Sequence, residues 1–160
     1  MAIYLHYEGI KGNVTASGYE KHIAVDSVKF GVNRGISMDV GKLANREISQ
    51  PVITEVVLGK VIDSSVTMLF KEAVAGSSGK QAVIKFVRTD TDKVQKYMEY
   101  TLENCLVSGY MITAKGDGEP TETIALSFSE VVVNYIDHDS TNKAGSPQRA
   151  GYDLATAKLL

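Results

Sequence analysis

The chain has a single cysteine among its 160 residues, so no internal disulfide framework is possible. Cys105 lies in an apolar stretch and reads as a small buried residue, not a reactive thiol. No run of about 18 apolar residues occurs, and no helical membrane span is expected. Charge of one sign is not in excess. The 17 Lys and Arg stand against 19 Asp and Glu, a formal net charge of −2. The pI is near 5.9, which provides no long-range field for nucleic acid. No block of like charge stands out. Lys93-Val94-Gln95-Lys96-Tyr97 is too sparse in basic and aromatic residues to form a stacking platform for single strands. Met1-Ala2-Ile3-Tyr4-Leu5-His6 lacks a charged n-region and a long apolar segment, so a Sec-type signal peptide is not expected and the chain is expected to start in the cytoplasm.

Catalytic and cofactor signatures are also scarce. Gly76-Ser77-Ser78-Gly79-Lys80 resembles part of a phosphate-binding loop, but position 74 is Val where that loop needs glycine. The order is reversed as well, a helix leading into a strand. His6, His22 and His138 are far apart, and no His, Cys and Asp spacing suggests zinc. Asp137-His138-Asp139 falls in a polar stretch where solvated charge is the default. Asp117 and Glu119 are turn residues outside any calcium-loop pattern. There is no Gly-x-Ser-x-Gly elbow, and no constellation meets the first steps of an active-site search. The chain reads as a non-enzyme without a metal or cofactor.

What the chain does hold is β patterning. Ile3, Leu5 and Tyr7 alternate with polar or amphipathic neighbours as a first strand. A second strand is expected from His22 to Phe30, with Val28 and Phe30 opposite Lys29. Residues 31–51 keep no period and read as a long extended loop, which in a compact domain is either functional or wrongly assigned. Val52 to Val61 is a β-branched run. Asp63-Ser64-Ser65 then offers a side chain to cap a first helical turn. Val66, Leu69, Phe70, Ala73 and Val74 recur at helical spacing, giving one helix over about residues 64–76, and Gly76 is expected to end it through a left-handed exit. Gln81 to Arg88 is a strand with Ala82, Ile84 and Phe86 on one face.

The centre of the pattern is a long hairpin from Lys96 to Ile136. Its turn, Lys115 to Pro120, contains Gly116 and Gly118, expected to supply left-handed conformations. On the return, Ile124, Leu126 and Phe128 share a face, but beyond Glu130 the large residues move to odd positions. That phase flip calls for a bulge or sharp bend near Ser129–Glu130. Residues 137–150 read as a mobile polar linker and 151–157 as a docking tail. One mainly β domain over 1–160 follows, a barrel or sandwich with one helix.

Three stretches, in order, resemble the hemolysin-coregulated protein family of type VI secretion systems. They are Lys60-Val61-Ile62-Asp63-Ser64-Ser65 with Leu69 and Gly76 after it, Tyr100 to Ser108, and Pro120 to Val131 ending at Tyr135. The ending Gly151-Tyr152-Asp153-Leu154 is similar to that of some members. The chain departs from the family pattern at Val66 (proline in the family), at Gly109 (serine) and through residues 31–50.

The resemblance implies a β-barrel of two curved antiparallel sheets with the helix packed on its side. It implies homohexameric rings stacked into a tube inside a contractile sheath, with a spike protein at the tip. Small effectors would ride in the lumen. The protein would wait in the bacterial cytoplasm and be secreted without a cleaved signal peptide. Within that frame the loop is the segment expected to reach the next ring, through Arg34, Met38, Asp39, Lys42, Leu43, Arg46 and Glu47, and Lys29 is expected to face the lumen. The rival readings are a small-ligand or peptide-binding β-barrel and an enzyme whose site is not visible.

Overall fold

The computed structural model describes residues 1–37, 40–41, 48–90 and 93–160. Strand alternation places the apolar side chains inside a ring of paired strands. β1 (Ala2–Tyr7) turns Leu5 and Tyr7 into the core and pairs antiparallel with β7 (Lys80–Thr89), Leu5 opposite Ile84. β7 pairs with β8 (Val94–Thr113), a strand of 20 residues that serves two sheets. Its first half also pairs with β10 (Glu130–His138), and its second half pairs with β9 (Thr121–Ser127). β9 pairs with β6 (Val56–Val61), and β6 pairs with β3 (Ser27–Lys29). β2 (Ile23–Val25) precedes β3 directly and returns to β1, which closes the barrel. Leu5, Ile23, Leu58, Ile84, Leu102, Ile124 and Leu126 fill its interior without solvent contact.

The expected second strand, His22 to Phe30, is therefore two strands with different neighbours. Asp26 is the corner between them, and its N–H donates to Gly59 O at 2.8 Å. A barrel needs such corners, because one straight strand cannot follow a closing sheet. The long strand β8 makes its own corner at Asn104, which has φ 52°. Asn tolerates this left-handed conformation better than most residues. Gly79 lies against it: a Cβ there would sit 1.7 Å from Asn104 Oδ1 and 2.8 Å from Asn104 Cα. The glycine that mimicked a phosphate loop thus makes room for the turn of β8.

The bend expected near Ser129–Glu130 falls between the end of β9 at Ser127 and the start of β10 at Glu130. There the chain leaves β6 and β9 for the other sheet, and Ser129 N–H donates to Glu103 O at 3.1 Å. Both Phe128 and Val131 are buried, which is the phase flip seen in the sequence. Gly116 and Gly118, in contrast, do not adopt positive φ. The connection from β8 to β9 spans 114–120, long enough to turn without left-handed residues.

α1 (Val66–Ala75) packs on β8, but its stripe is only partly used. Leu69 is fully buried, while Phe70 and Val74 are 58% and 70% exposed. No Asp63, Ser64 or Ser65 side chain caps the first helical turn. Asp63 Oδ1 instead accepts the Ser65 N–H at 2.9 Å and the Ser65 hydroxyl, fixing the residue before the helix. Gly76 is extended, φ −67° and ψ 118°, so the left-handed exit does not occur; glycine is needed because a Cβ would meet Glu72 O at 2.5 Å.

Two further corrections concern the β-branched run and the polar tail. Val52 to Val61 is interrupted at 54–55, giving β5 (Val52–Ile53) apart from β6. Residues 137–150 are not a linker along their length. β11 (Ala144–Asp153) pairs with β10 from Val131↔Tyr152 through Ile136↔Pro147, and β12 (Lys158–Leu159) folds back on it. Its residues 144–150 are all exposed, so they have no apolar period to betray a strand. Backbone pairing alone holds them, and Pro147 is compatible because the strand is at an edge. Tyr152 packs against the core from this strand.

One ion pair is buried where β6, β9 and the helix start meet. Lys60 and Glu122 are cross-strand partners, with Nζ to Oε1 at 2.5 Å and both side chains without solvent contact. Lys60 also reaches Asp63 Oδ1 at 3.1 Å. Two predictions follow from this packing. Lys60→Ala, which strands Glu122, should cost about 3–5 kcal/mol in urea unfolding, whereas Lys60→Met with Glu122→Leu should cost far less. Gly79→Ala should cost about 1–3 kcal/mol, because the Asn104 corner has to move.

Candidate assembly surface

With the barrel interior filled, the surface that stands out is a ribbon projecting from it. β4 (Val32–Asn33) pairs with β5, Val32 opposite Ile53 and Asn33 opposite Val52, and a bridge joins Ile36 to Ile48 farther out. Two hydroxyl clamps hold the ribbon. Thr54 Oγ1 accepts the Gly31 N–H at 2.9 Å and donates to Gly31 O at 3.0 Å. Ser49 Oγ repeats this with Gly35, at 2.9 Å and 3.1 Å. The long loop of the sequence is, at its base, an ordered two-stranded arm.

The arm does not bury its own apolar side chains. Val32 is 55% exposed and Val52 66%, and Ile36 and Ile48 are exposed beside them. Its root is fixed to the core by Phe30, whose ring lies 5.6 Å from Tyr100 and 6.2 Å from Phe128. Between this root and the other sheet runs a largely apolar groove of about 540 Å³. The arm contributes Val32, Pro51 and Ile53 to it, and the sheet contributes Val131, Val133 and Tyr152. β11 forms the rim, and beyond β12's short pairing its outer edge has no neighbouring strand among the described residues. An unpaired edge beside exposed β-branched residues is a template for another chain.

Of the residues expected to mediate stacking, Arg34 follows β4, is exposed and lines the groove. Met38, Asp39, Lys42, Leu43, Arg46 and Glu47 lie outside the described residues. Lys29 is exposed on β3, opposite Val57 in register and on the reverse side from Val28 and Phe30. Sequence reasoning missed the groove wall from β10 and β11. The odd-numbered valines after Glu130 were its one visible sign.

Chemically the surface offers apolar contact area. Among the described residues no group of three or more His, Cys, Asp and Glu is placed to hold a metal ion. Burial pushes the Cys105 thiol up to about 12, leaving it protonated and inert near neutral pH.

The fold is a closed β-barrel with a filled core, one flanking helix among the described residues and an exposed apolar arm. Comparison with known proteins places it. The family model described as "Type VI secretion system effector, Hcp" matches residues 4–135, and the chain belongs to that family. This is a structural tube-protein family, not a family of enzymes. A solved structure described as a type six secretion system protein superposes with a TM-score of 0.92 at 23% identity, covering 99% of each chain. Hcp1 from Salmonella typhimurium gives 0.77 at 24% identity, covering 99% of this chain and 98% of that one. A type VI secretion system effector from Yersinia pestis gives 0.75 at 14% identity, covering 94% and 98%. Among curated proteins no sequence matches. These likenesses confirm the mainly β barrel with one helix.

The clamp at the arm's root can be tested directly. Thr54→Val should speed hydrogen exchange at the Asn33 and Val52 amides, the next hydrogen-bonded pair of the ribbon, and cost about 0.5–1.5 kcal/mol, the worth of exposed hydrogen bonds, while leaving barrel amides protected.

Proposed function

We propose that this chain is the building block of a secretion tube: six copies close a ring, and rings stack coaxially. The observation that supports the reading most is the arm and groove. They expose apolar area beside an unpaired strand edge on a subunit whose own core is complete. Head-to-tail closure around an axis would cover such surfaces in every copy and leave none over. Within the ring the groove between the arm's root and β10–β11 accepts a neighbouring copy, and Arg34, with Met38, Asp39, Lys42, Leu43, Arg46 and Glu47, contacts the next ring. Apolar residues there supply contact area, and the mixed charges supply register. Lys29 faces the lumen in this reading.

The assembled tube would sit inside a contractile sheath, carry a spike protein at its tip and be expelled from a bacterium, with small effectors in the lumen. The subunit would wait in the cytoplasm and leave without a cleaved signal peptide. No helix among the described residues is long and apolar enough to cross a membrane. A ligand-binding barrel would need interior space, and here side chains occupy the interior.

Light scattering on the purified protein should give a hexameric mass, and electron microscopy of concentrated samples should show rings. Replacing 33–50 by a short Gly-Ser linker, with the Gly31–Thr54 clamp retained, should leave the barrel folded and abolish stacking. A monomer at every concentration, or stacking that survives the replacement, would count against the reading.

A further inference from the structure

Residues 12–22 fold back over β1 as a tight hairpin. Its backbone is closed by Gly12 N–H to Lys21 O and Lys21 N–H to Val14 O, both 2.8 Å, and Val14 N–H reaches His22 O at 3.1 Å. Lys21 takes φ 62° to make the return. The hairpin lies on the sheet through aromatic rings: Tyr19 sits 5.1 Å from Tyr4, and His22 sits 5.3 Å from His6 and 5.7 Å from Tyr19.

His22 is the buried member, 8% exposed, and both its ring nitrogens are engaged. Nδ1 lies 3.3 Å from Glu20 O, and Nε2 lies 3.2 Å from Lys85 Nζ. A carbonyl can only accept, so Nδ1 carries the proton. An ammonium can only donate, so Nε2 offers its lone pair. This arrangement suits a neutral imidazole and no other form. A second proton would set two donors and two positive charges against each other.

We propose that His22 is an acid-sensitive latch, which pins residues 12–22 onto β1 and β7 while neutral and releases them when it is protonated against the Lys85 ammonium. The groups around it are Tyr4 and His6 from β1, Tyr19, Glu20 and Lys21 from its own hairpin, and Lys85 from β7. Behind Lys85 on β8 stand Glu99 and Lys96. Glu99 is beside Lys85 in register but forms its ion pair with Lys96. The Lys85 ammonium also lies 5.7 Å from the centre of the Tyr19 ring, so the same cation holds two residues of the hairpin.

Burial lowers the His22 pKa below its ordinary 6.5, and Lys85 and His6 lower it further, against the opposing Glu20 and Tyr19 backbone groups. The released chain therefore takes up the proton first. The latch is complete above the ordinary imidazole value and weakens as pH falls below it. The device is independent of assembly through the arm.

Hydrogen exchange of the 12–22 amides, corrected for intrinsic rates, should quicken severalfold between about pH 8 and about pH 5.5, while β8 and β9 stay protected. His22→Gln keeps an acceptor for Lys85 but cannot gain charge, and it should abolish this response. Lys85→Met should raise the His22 pKa, followed by its ring proton shifts, and flatten the pH response of the hairpin. Equal protection of the hairpin at both pH values, or an unchanged response in His22→Gln, would overturn the proposal. So would a His22 pKa that Lys85→Met leaves in place.

Discussion

Everything in this fold hangs on the backbone hydrogen bonds of one strand that belongs to two sheets. β8 gives its first half to β7 and β10 and its second half to β9. Only such a strand lets the barrel close on one side and still carry β10, β11 and β12 as an outlying flap. The change of partners needs a corner, supplied by Asn104 in a left-handed conformation with Gly79 leaving space beside it. Closure removes edges from the barrel and moves the exposed ones to the flap and the arm.

That distribution links the fold to the family's role. Side chains such as Leu5, Leu58, Ile84 and Ile124 fill the barrel interior. The fold's surplus is at the surface: an arm that cannot bury its valines and isoleucines, a groove at the arm's root and a strand edge with unpaired amides. The helix adds Phe70 and Val74, both left exposed. Exposed apolar surface of this kind, beside an unpaired strand edge, is what the proposed ring would cover.

Where side chains alternate between core and solvent, the pattern was legible. β1, β7 and β9 were readable from Leu5 and Tyr7, from Ala82, Ile84 and Phe86, and from Ile124, Leu126 and Phe128. The bend before Glu130 was legible too, since a change of sheet has to shift the phase of burial. β11 was not. Residues 144–150 face solvent on both sides and pair through backbone alone, so their composition matched that of a linker. The corner at Asp26 carries the same kind of mark as that bend, since the inward side chains move from Ile23 and Val25 to Val28 and Phe30, although His22 to Phe30 was expected to be one strand.

The sequence alone determined the mainly β class, the single helix and the order of the family's motifs, because these depend on periodicity and local propensity within a few residues. The tertiary structure decided which strands meet, where the barrel closes and which surfaces are left over. It also brought His22 to Lys85 and Lys60 to Glu122, pairs separated by 63 and 62 positions. Such pairings depend on how a closed sheet folds distant segments onto one another, and no local pattern encodes that distance.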